Sequence, residues 1–289
     1  MSFGLKALLL AAALALACGE RPELATVVDH AGHPVRLASP PERIVSLSPS
    51  LTELLFALGW GERLVGRTRW SAYPPEAQAI PSVGDGLDPN LEIVTARRPD
   101  LVVFYHTPAN AAAIARLDDL GIASLSVRLD QLDDVDPAVR LLGRVMGDSV
   151  RADSIADAFQ RELDRMRRRS FDVRVGALLL AWDAPPIVIG GGSFLSEIVH
   201  LAGGRNVFAD LRQPSATVSI EAIAVRAPDV VLLVEESDLA VAGRPEWETI
   251  TAVREGRFVR VHGSEFSWPS LRAGQAVAKL AKALSTGSP

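Results

Sequence analysis

Large aromatic rings are scarce in this sequence, and several stand where a ligand could reach them. Phe, Trp and Tyr make up 6% of the 289 residues. Trp70 follows an apolar run at Leu64–Gly66, Tyr105 ends one at Leu101–Tyr105, and Trp182 ends one at Val175–Trp182. Phe266 and Trp268 follow a fourth run, Phe258–Val261. Each run reads as a β-strand, and in open α/β sheets ligands gather beyond the carboxyl ends of strands. Rings gathered there could grip a large, partly apolar molecule, with Trp N–H and Tyr O–H groups to orient it. The alternative for each ring is that it plugs the edge of its own sheet.

Catalytic arrangements are thin by comparison. Ile189-Gly190-Gly191-Gly192-Ser193 lies between a strand and a helix, but lacks both G-x-G-x-x-G spacing and a following Lys-Ser/Thr. It reads as a tight turn. No G-x-S-x-G elbow is present, and the recruits for a hydrolytic triad reduce to Ser193 with His200 or His262. His30 and His33 share an H-x2-H spacing without a carboxylate-rich partner sequence, so no metal site is expected. His106, beside Tyr105, is either a loop histidine or an axial ligand for a haem iron.

Two carboxylates draw notice because they recur. Leu91-Glu92 runs into Pro99-Asp100-Leu101-Val102-Val103 with the same spacing that takes Ile220-Glu221 into Pro228-Asp229-Val230-Val231-Leu232. Upstream, Thr52-Glu53-Leu54 through Gly59 echoes Ser196-Glu197-Ile198 through Gly203, and each copy follows an Ile-Val strand start, Ile44-Val45 and Ile187-Val188. The chain is built from two similar halves. Glu92 and Glu221 open helices, where an acidic side chain complements the dipole; as a matched pair they could also engage a two-fold partner carrying arginines.

The elements that must position these groups alternate. Strand-like runs at Arg43–Leu47, Leu64–Gly66, Leu101–Tyr105, Ala123–Val127, Val175–Trp182, Ile187–Ile189, Val230–Val234 and Phe258–Val261 are mostly separated by helical patterns. That pattern predicts an α/β fold: two similar lobes with mainly parallel sheets. A short hairpin around Ala31-Gly32 precedes them. From Asp148 to Arg169, Ile155, Phe159, Leu163 and Met166 recur at helical spacing with no Gly or Pro. This amphipathic helix, about 30 Å long, is either another sheet-covering helix or a strut joining two lobes. The expected division is 18–42 for the hairpin segment, 43–147 and 172–289 for the lobes, and 148–171 for the connecting helix.

Length and composition agree with two compact units, and the net charge of −5 excludes a generally basic protein that tracks nucleic-acid phosphates. The amino terminus carries Lys6 and then an apolar run from Ala7 to Ala17, too short to span a ~30 Å hydrocarbon layer. It reads as a secretion signal over residues 1–17. Ala15 and Ala17 precede Cys18, the one cysteine. Small residues before a cysteine resemble a bacterial lipoprotein signal, in which Cys18 would be lipidated and would attach the protein to the membrane; the alternative is ordinary secretion with Cys18 as a free thiol.

Taken together, RIVSLSPSLTELLFALG (Arg43–Gly59), YPPEAQAIPSVG (Tyr73–Gly84), NLEIVTARRPDLVV (Asn90–Val103) and the later GGRNVF and SIEAIAVRAPDVV segments resemble the substrate-binding components of ABC importers for vitamin B12, haem and ferric siderophores. The likeness is strongest to the cobalamin-binding branch. It implies two lobes joined by one long helix (148–171), a ligand in the intervening cleft, no catalytic residues, no resident cofactor, and a monomer that delivers its cargo to an ABC permease dimer. It further implies that Glu92 and Glu221 dock onto permease arginines, one per subunit. The ring-lining aromatics carry over to Trp70, Tyr105 and Trp182, with the Glu265–Trp268 loop, including Phe266, reaching the other side of the corrin. Where that branch has a tryptophan after a proline in the second lobe, this chain has Ser215 after Pro214. The reduced wall leaves a corrinoid, haem or an iron chelate open; for an anionic chelate, Arg67, Arg69, Arg205 and Arg272 could serve.

Overall fold

The computed structural model describes residues 26–286, apart from 170, 172–173, 235–240 and 242. The expected signal peptide (1–17) and Cys18 lie outside the described residues.

The hairpin is present: β1 (Val27–Val28) pairs antiparallel with β2 (Pro34–Val35). Its turn is built by Asp29, whose carboxylate accepts from Ala31 and His33 amides and also from the amide of Ser126 in the first lobe. His30 Nδ1 accepts from the Arg128 amide at 2.9 Å, which requires the neutral ring. Burial lowers the His30 pKa below 6.5; the Arg128 charge adds to this and His106 does too, while Asp134 and Asp29 oppose it. Below pH 6.5 the unfolded chain therefore binds a proton that the folded chain resists, so stability falls as pH drops through that value. Urea midpoints at pH 7.5 and 5.5 should differ less in a His30→Asn variant, whose amide oxygen supplies an acceptor that does not titrate.

The first lobe runs β3 (Ile44–Ser46), α1 (Pro49–Ala57), β4 (Leu64–Arg67), α2 (Leu91–Ala96), β5 (Leu101–Tyr105), α3 (Ala111–Asp119) and β6 (Ala123–Val127). The strands are all parallel, in the order β4-β3-β5-β6. Alternate residues of β5 feed different cores. Leu101 and Val103 face the cluster shared with the rest of the molecule, and Val102 and Phe104 face a separate cluster with Ile114 and Leu117. Burial on both faces is what turns a strand sequence into a continuous apolar run. Helices α4 (Val135–Met146) and α5 (Ser149–Arg167) follow.

The second lobe contains β7 (Val175–Asp183), β8 (Pro186–Ile189), α6 (Phe194–Leu201), β9 (Gly204–Asn206), β10 (Ser215–Thr217), α7 (Ile220–Val225), β11 (Val230–Val234), α8 (Thr251–Arg254), β12 (Phe258–Val261) and α9 (Ala273–Thr286). Its parallel strands run β9-β7-β11-β12, the order of the first lobe. The duplication extends to the backbone. Asp100 accepts from the Arg43 amide and donates its own amide to the Arg43 carbonyl; Asp229 does both with Gly176. Before each Pro-Asp pair, Arg98 (φ 48°) and Ala227 (φ 44°) take left-handed conformations, which non-glycine residues seldom adopt.

These clamps correct one element of the repeat. The partner of Ile44–Ser46 is the start of β7, not Ile187-Val188. β8 and β10 form an antiparallel extension absent from the first lobe, so the second sheet is mixed rather than wholly parallel.

Helix α5 spans about 28 Å at 1.5 Å per residue. Its fully packed stripe is Ala152, Ala156, Phe159 and Leu163, while Ile155 and Met166 are only partly buried. The shift follows from α4: Gly143 lies against Ala152 so closely that a Cβ on it would sit 2.2 Å from the alanine methyl. Small residues let the two helices touch. The strut thus runs along α4 and against α9, and one apolar cluster continues from Ile44 and Leu101 through Leu142, Phe159 and Leu163 to Leu179, Val230 and Leu280.

Candidate functional site

Between the lobes lies a cavity of about 910 Å³, within the range that holds small-molecule ligands. The first lobe supplies the carboxyl ends of its strands and the residues just beyond: Leu47, Trp70, Tyr105 and the 128–131 loop. The second lobe supplies the turn into α6 (Gly192 and Ser193) with its first residue, Phe194, and Arg212, Pro214 and the 267–269 segment with Trp268. The amino ends of α1 and α6 both border the space, and such ends favour hydrogen-bond acceptors and negative charge. The lobes touch directly here, Gln131 donating to the Gly192 carbonyl at 2.5 Å.

Trp70 is 60% exposed, a large ring held out toward the cleft. The Arg69 guanidinium lies 5.5 Å from its centroid, and its indole N–H points at Asp85, which also pairs with Arg69 at 3.3 Å. The Leu87 amide, and then the Trp70 N–H, hold the Asp85 carboxyl below its ordinary range. Tyr105 donates its hydroxyl to Asp130 in a short hydrogen bond. Burial, with that bond and the Asp130 charge, pushes the phenol up to about 12, so it is a neutral donor at physiological pH. Ser48, Ser50 and Thr68 give part of the wall a hydroxyl surface; the Ser48 and Ser50 hydroxyls bond each other, and Thr68 is linked through Ser71 and Thr52 to Ser46 behind it.

Three of the anticipated rings therefore meet: Trp70 and Tyr105 from one lobe, Trp268 from the other. Three anticipated ligand residues do not. Trp182 is 54% exposed outside the cavity lining, its N–H donating to the Ala184 carbonyl. The reason is that β7 runs on into a hairpin with β8, with an irregular register between Leu180 and Trp182. Phe266 is 2% exposed and belongs to the core. Glu265 is buried and committed to Arg272 and Lys279. Burial raises its pKa, but the Lys279 hydrogen bond, its own backbone and the Lys279 and Arg272 charges override this and lower it.

Of the arginines suggested for an anionic chelate, Arg272 is consumed by Glu53 and Glu265, and Arg67 by carbonyls of its own lobe. Arg128 and Arg212 line the cavity instead. His106 turns to Ser126 and lines no part of the cleft. Among the described residues no group of three His, Cys, Asp or Glu side chains gathers as a metal site. The glycine run is a tight turn: Cβ atoms at Gly190, Gly191 and Gly192 would fall 2.1–2.3 Å from carbonyl oxygens of the 209–213 segment. Phe194, just after it, reaches the cavity wall; an aromatic immediately following a glycine turn was the available signal for it. Asp130 and Arg128 carry no comparable signal, since charged loop residues are usually only solvated.

Glu92 and Glu221 are exposed, outside the cavity, each in the first turn of a six-residue helix capped by Asn90 or Ser219. The Glu221 backbone amide and the Ser219 hydroxyl hold its carboxyl below the ordinary range.

A shared cleft walled by rings and polar groups, between two lobes of one duplicated design, defines a bilobed small-molecule-binding protein. Residues 44–264 match the periplasmic binding protein family, and the chain belongs to it. A vitamin B12-binding protein of Pectobacterium carotovorum is 29% identical, over 86% of this chain and 91% of that protein. An uncharacterized ABC transporter substrate-binding lipoprotein of Bacillus subtilis is 29% identical over 96% of this chain and 95% of its own length. Among solved structures, a periplasmic haem-binding protein from Roseiflexus in its apo form superposes with a TM-score of 0.75, 25% identity, and coverage of 85% of this chain and 98% of that one. These relatives are binding and transport components, not enzymes.

Proposed function

We propose that this protein captures a corrinoid, vitamin B12 or cobinamide, in the interlobe cleft outside the cytoplasmic membrane and delivers it to an ABC permease. The observation that carries the reading is the convergence of Trp70, Tyr105 and Trp268 from opposite lobes on one cavity, a geometry suited to a broad, flat macrocycle edged with polar groups. The vitamin B12-binding relative supports the same ligand class. Lipid attachment through Cys18 fits the lipoprotein-like signal and the Bacillus relative's designation, and no helix among the described residues is long and apolar enough to cross a membrane.

A second reading, haem capture, is favoured by Arg128 and Arg212, one from each lobe, at positions that could meet carboxylates on a macrocycle, and by the haem-binding neighbour. Titration with cyanocobalamin, cobinamide, haemin and a ferric hydroxamate separates the readings. A corrinoid Kd below roughly 10 μM, about −7 kcal/mol, is expected; a Soret shift with haemin and no corrinoid binding would replace the first reading with the second. Trp70→Ala and Tyr105→Ala should each weaken the bound macrocycle by about 1–3 kcal/mol, the scale of stacking on an aromatic ring, whereas Trp182→Ala should leave affinity unchanged.

A further inference from the structure

One wall of the cleft is oriented from the opposite lobe. Trp268 belongs to the segment after β12, yet its indole N–H donates to Glu53 Oε2, in α1 of the first lobe, at 3.3 Å. Glu53 is 3% exposed. A carboxylate so placed needs partners, and Arg272 supplies a bidentate pair: Nε to Oε1 at 2.8 Å and Nη2 to Oε2 at 2.7 Å. The same guanidinium donates from Nη1 to Glu265 at 2.7 Å and from Nη2 to Ser264 at 2.9 Å, and packs 3.7 Å from the centre of the Tyr73 ring. Lys279 completes the charge balance at Glu265. Both ends of the segment that bears Trp268, residues 264–265 and 272, are therefore fixed by a guanidinium locked to the first lobe.

The repeat shows that the fold does not require this arrangement. Glu197 occupies the matching position in the second half, on α6, where it is less buried and pairs with Arg167, which also holds Asp133. That trio lines no part of the cavity. Of the two copies, the one at Glu53 reaches a ring that lines the cavity.

We propose that Glu53 is a positioning residue for ligand binding: it sets the orientation of the Trp268 indole in the cleft and, through Arg272, the seat of the loop that carries it. This rests on the reading that the cleft holds the ligand. The role is distinct from that of an ordinary interlobe ion pair, because its effect must pass through one ring.

The test uses the full chain labelled with 5-fluorotryptophan. There are five tryptophans, and Trp268→Phe assigns the relevant 19F resonance. In ligand-free protein, Glu53→Gln should shift or broaden the Trp268 resonance and leave that of Trp182 in place; an unmoved Trp268 signal overturns the proposal. With cyanocobalamin, cobinamide and haemin as probes, Glu53→Gln and Trp268→Phe should each raise Kd roughly 5–20-fold, and the double variant should be no weaker than the worse single. Arg167→Gln, which breaks the corresponding pair at Glu197, should change Kd less than about 2-fold. Fully multiplicative losses, or an equal loss in Arg167→Gln, also overturn it. If wild-type protein binds none of the probes, the functional reading fails while the 19F comparison still decides the positioning. Should Glu53→Gln not fold, Glu53→Asp, which withdraws the carboxylate by one methylene, is read in the same two ways.

Discussion

Charge reversal at both Glu92 and Glu221 should abolish stimulation of the cognate permease while leaving ligand affinity within about 2-fold of wild type. The two carboxylates open matching helices, α2 and α7, ahead of matching strands, and both are exposed and outside the cavity. A carboxylate–arginine contact in a docked complex is charge-assisted and geometrically selective. If Glu92 and Glu221 meet permease arginines, as the resemblance implies, replacing each carboxylate with a guanidinium would convert two attractions into two repulsions, and like charges placed together at an interface cost several kcal/mol. Each single reversal, Glu92→Arg or Glu221→Arg, should retain part of the stimulation. Ligand-loaded protein added to permease-containing vesicles, with ATP hydrolysis and uptake measured together, gives the readout. Undiminished uptake in the double variant would end the docking assignment.

The second large effect is on folding. Arg272→Ala should cost about 3–5 kcal/mol, the usual consequence of removing one partner from a buried ion pair. Arg272 is 8% exposed, and its loss would leave the buried Glu53 carboxylate without its ion-pair partner, with the Trp268 N–H still donating to it, and Glu265 with Lys279 as its remaining cation. The pH dependence has a definite sign. In the wild type the Glu265 carboxyl lies below its ordinary value of 4.5, so its contribution is present above that value and is lost as pH falls through the lower folded pKa. The difference between wild type and variant should therefore be largest near neutrality and shrink below about pH 4.5. Urea unfolding at pH 7 and pH 4 measures both; a gap that widens in acid would contradict the assignment.

Much of the architecture was legible because its physics is local. Leu101–Tyr105, Ala123–Val127, Val230–Val234 and Phe258–Val261 are apolar runs bounded by turn residues, and they are strands with those limits. The matched Glu-to-Pro spacings exposed the duplication. Register across distant elements was not legible. Gly204–Asn206 is the true counterpart of β4, but three residues reading Gly-Arg-Asn carry no strand signal. Ile187-Val188 looked like the start of the repeat because it is apolar, whereas pairing with β7 makes it the return arm of a hairpin. The site divided in the same way. Tyr105 ends one simple parallel strand and Trp70 lies just beyond another, where position along the chain predicts position in space. Trp182 lies past a register irregularity, and Phe266 and Trp268, two residues apart, went to core and cleft respectively. Neighbouring residues of one loop have no periodicity to separate them. Glu53 was visible only as part of a repeat; its partner lies 219 positions away.

The apolar cluster that passes without a break from one lobe to the other has a mechanical consequence. Swinging the lobes apart by a wide angle would tear packed surface around Leu142, Phe159 and Leu163 open to water, at about 2.5 kcal/mol for each 100 Å² of apolar area. A hinge with that penalty does not gape. On the function proposed above, empty and loaded molecules would then present nearly the same silhouette to a permease, and the sign that cargo is aboard would have to come from the cargo itself, seen at the lip of the crevice.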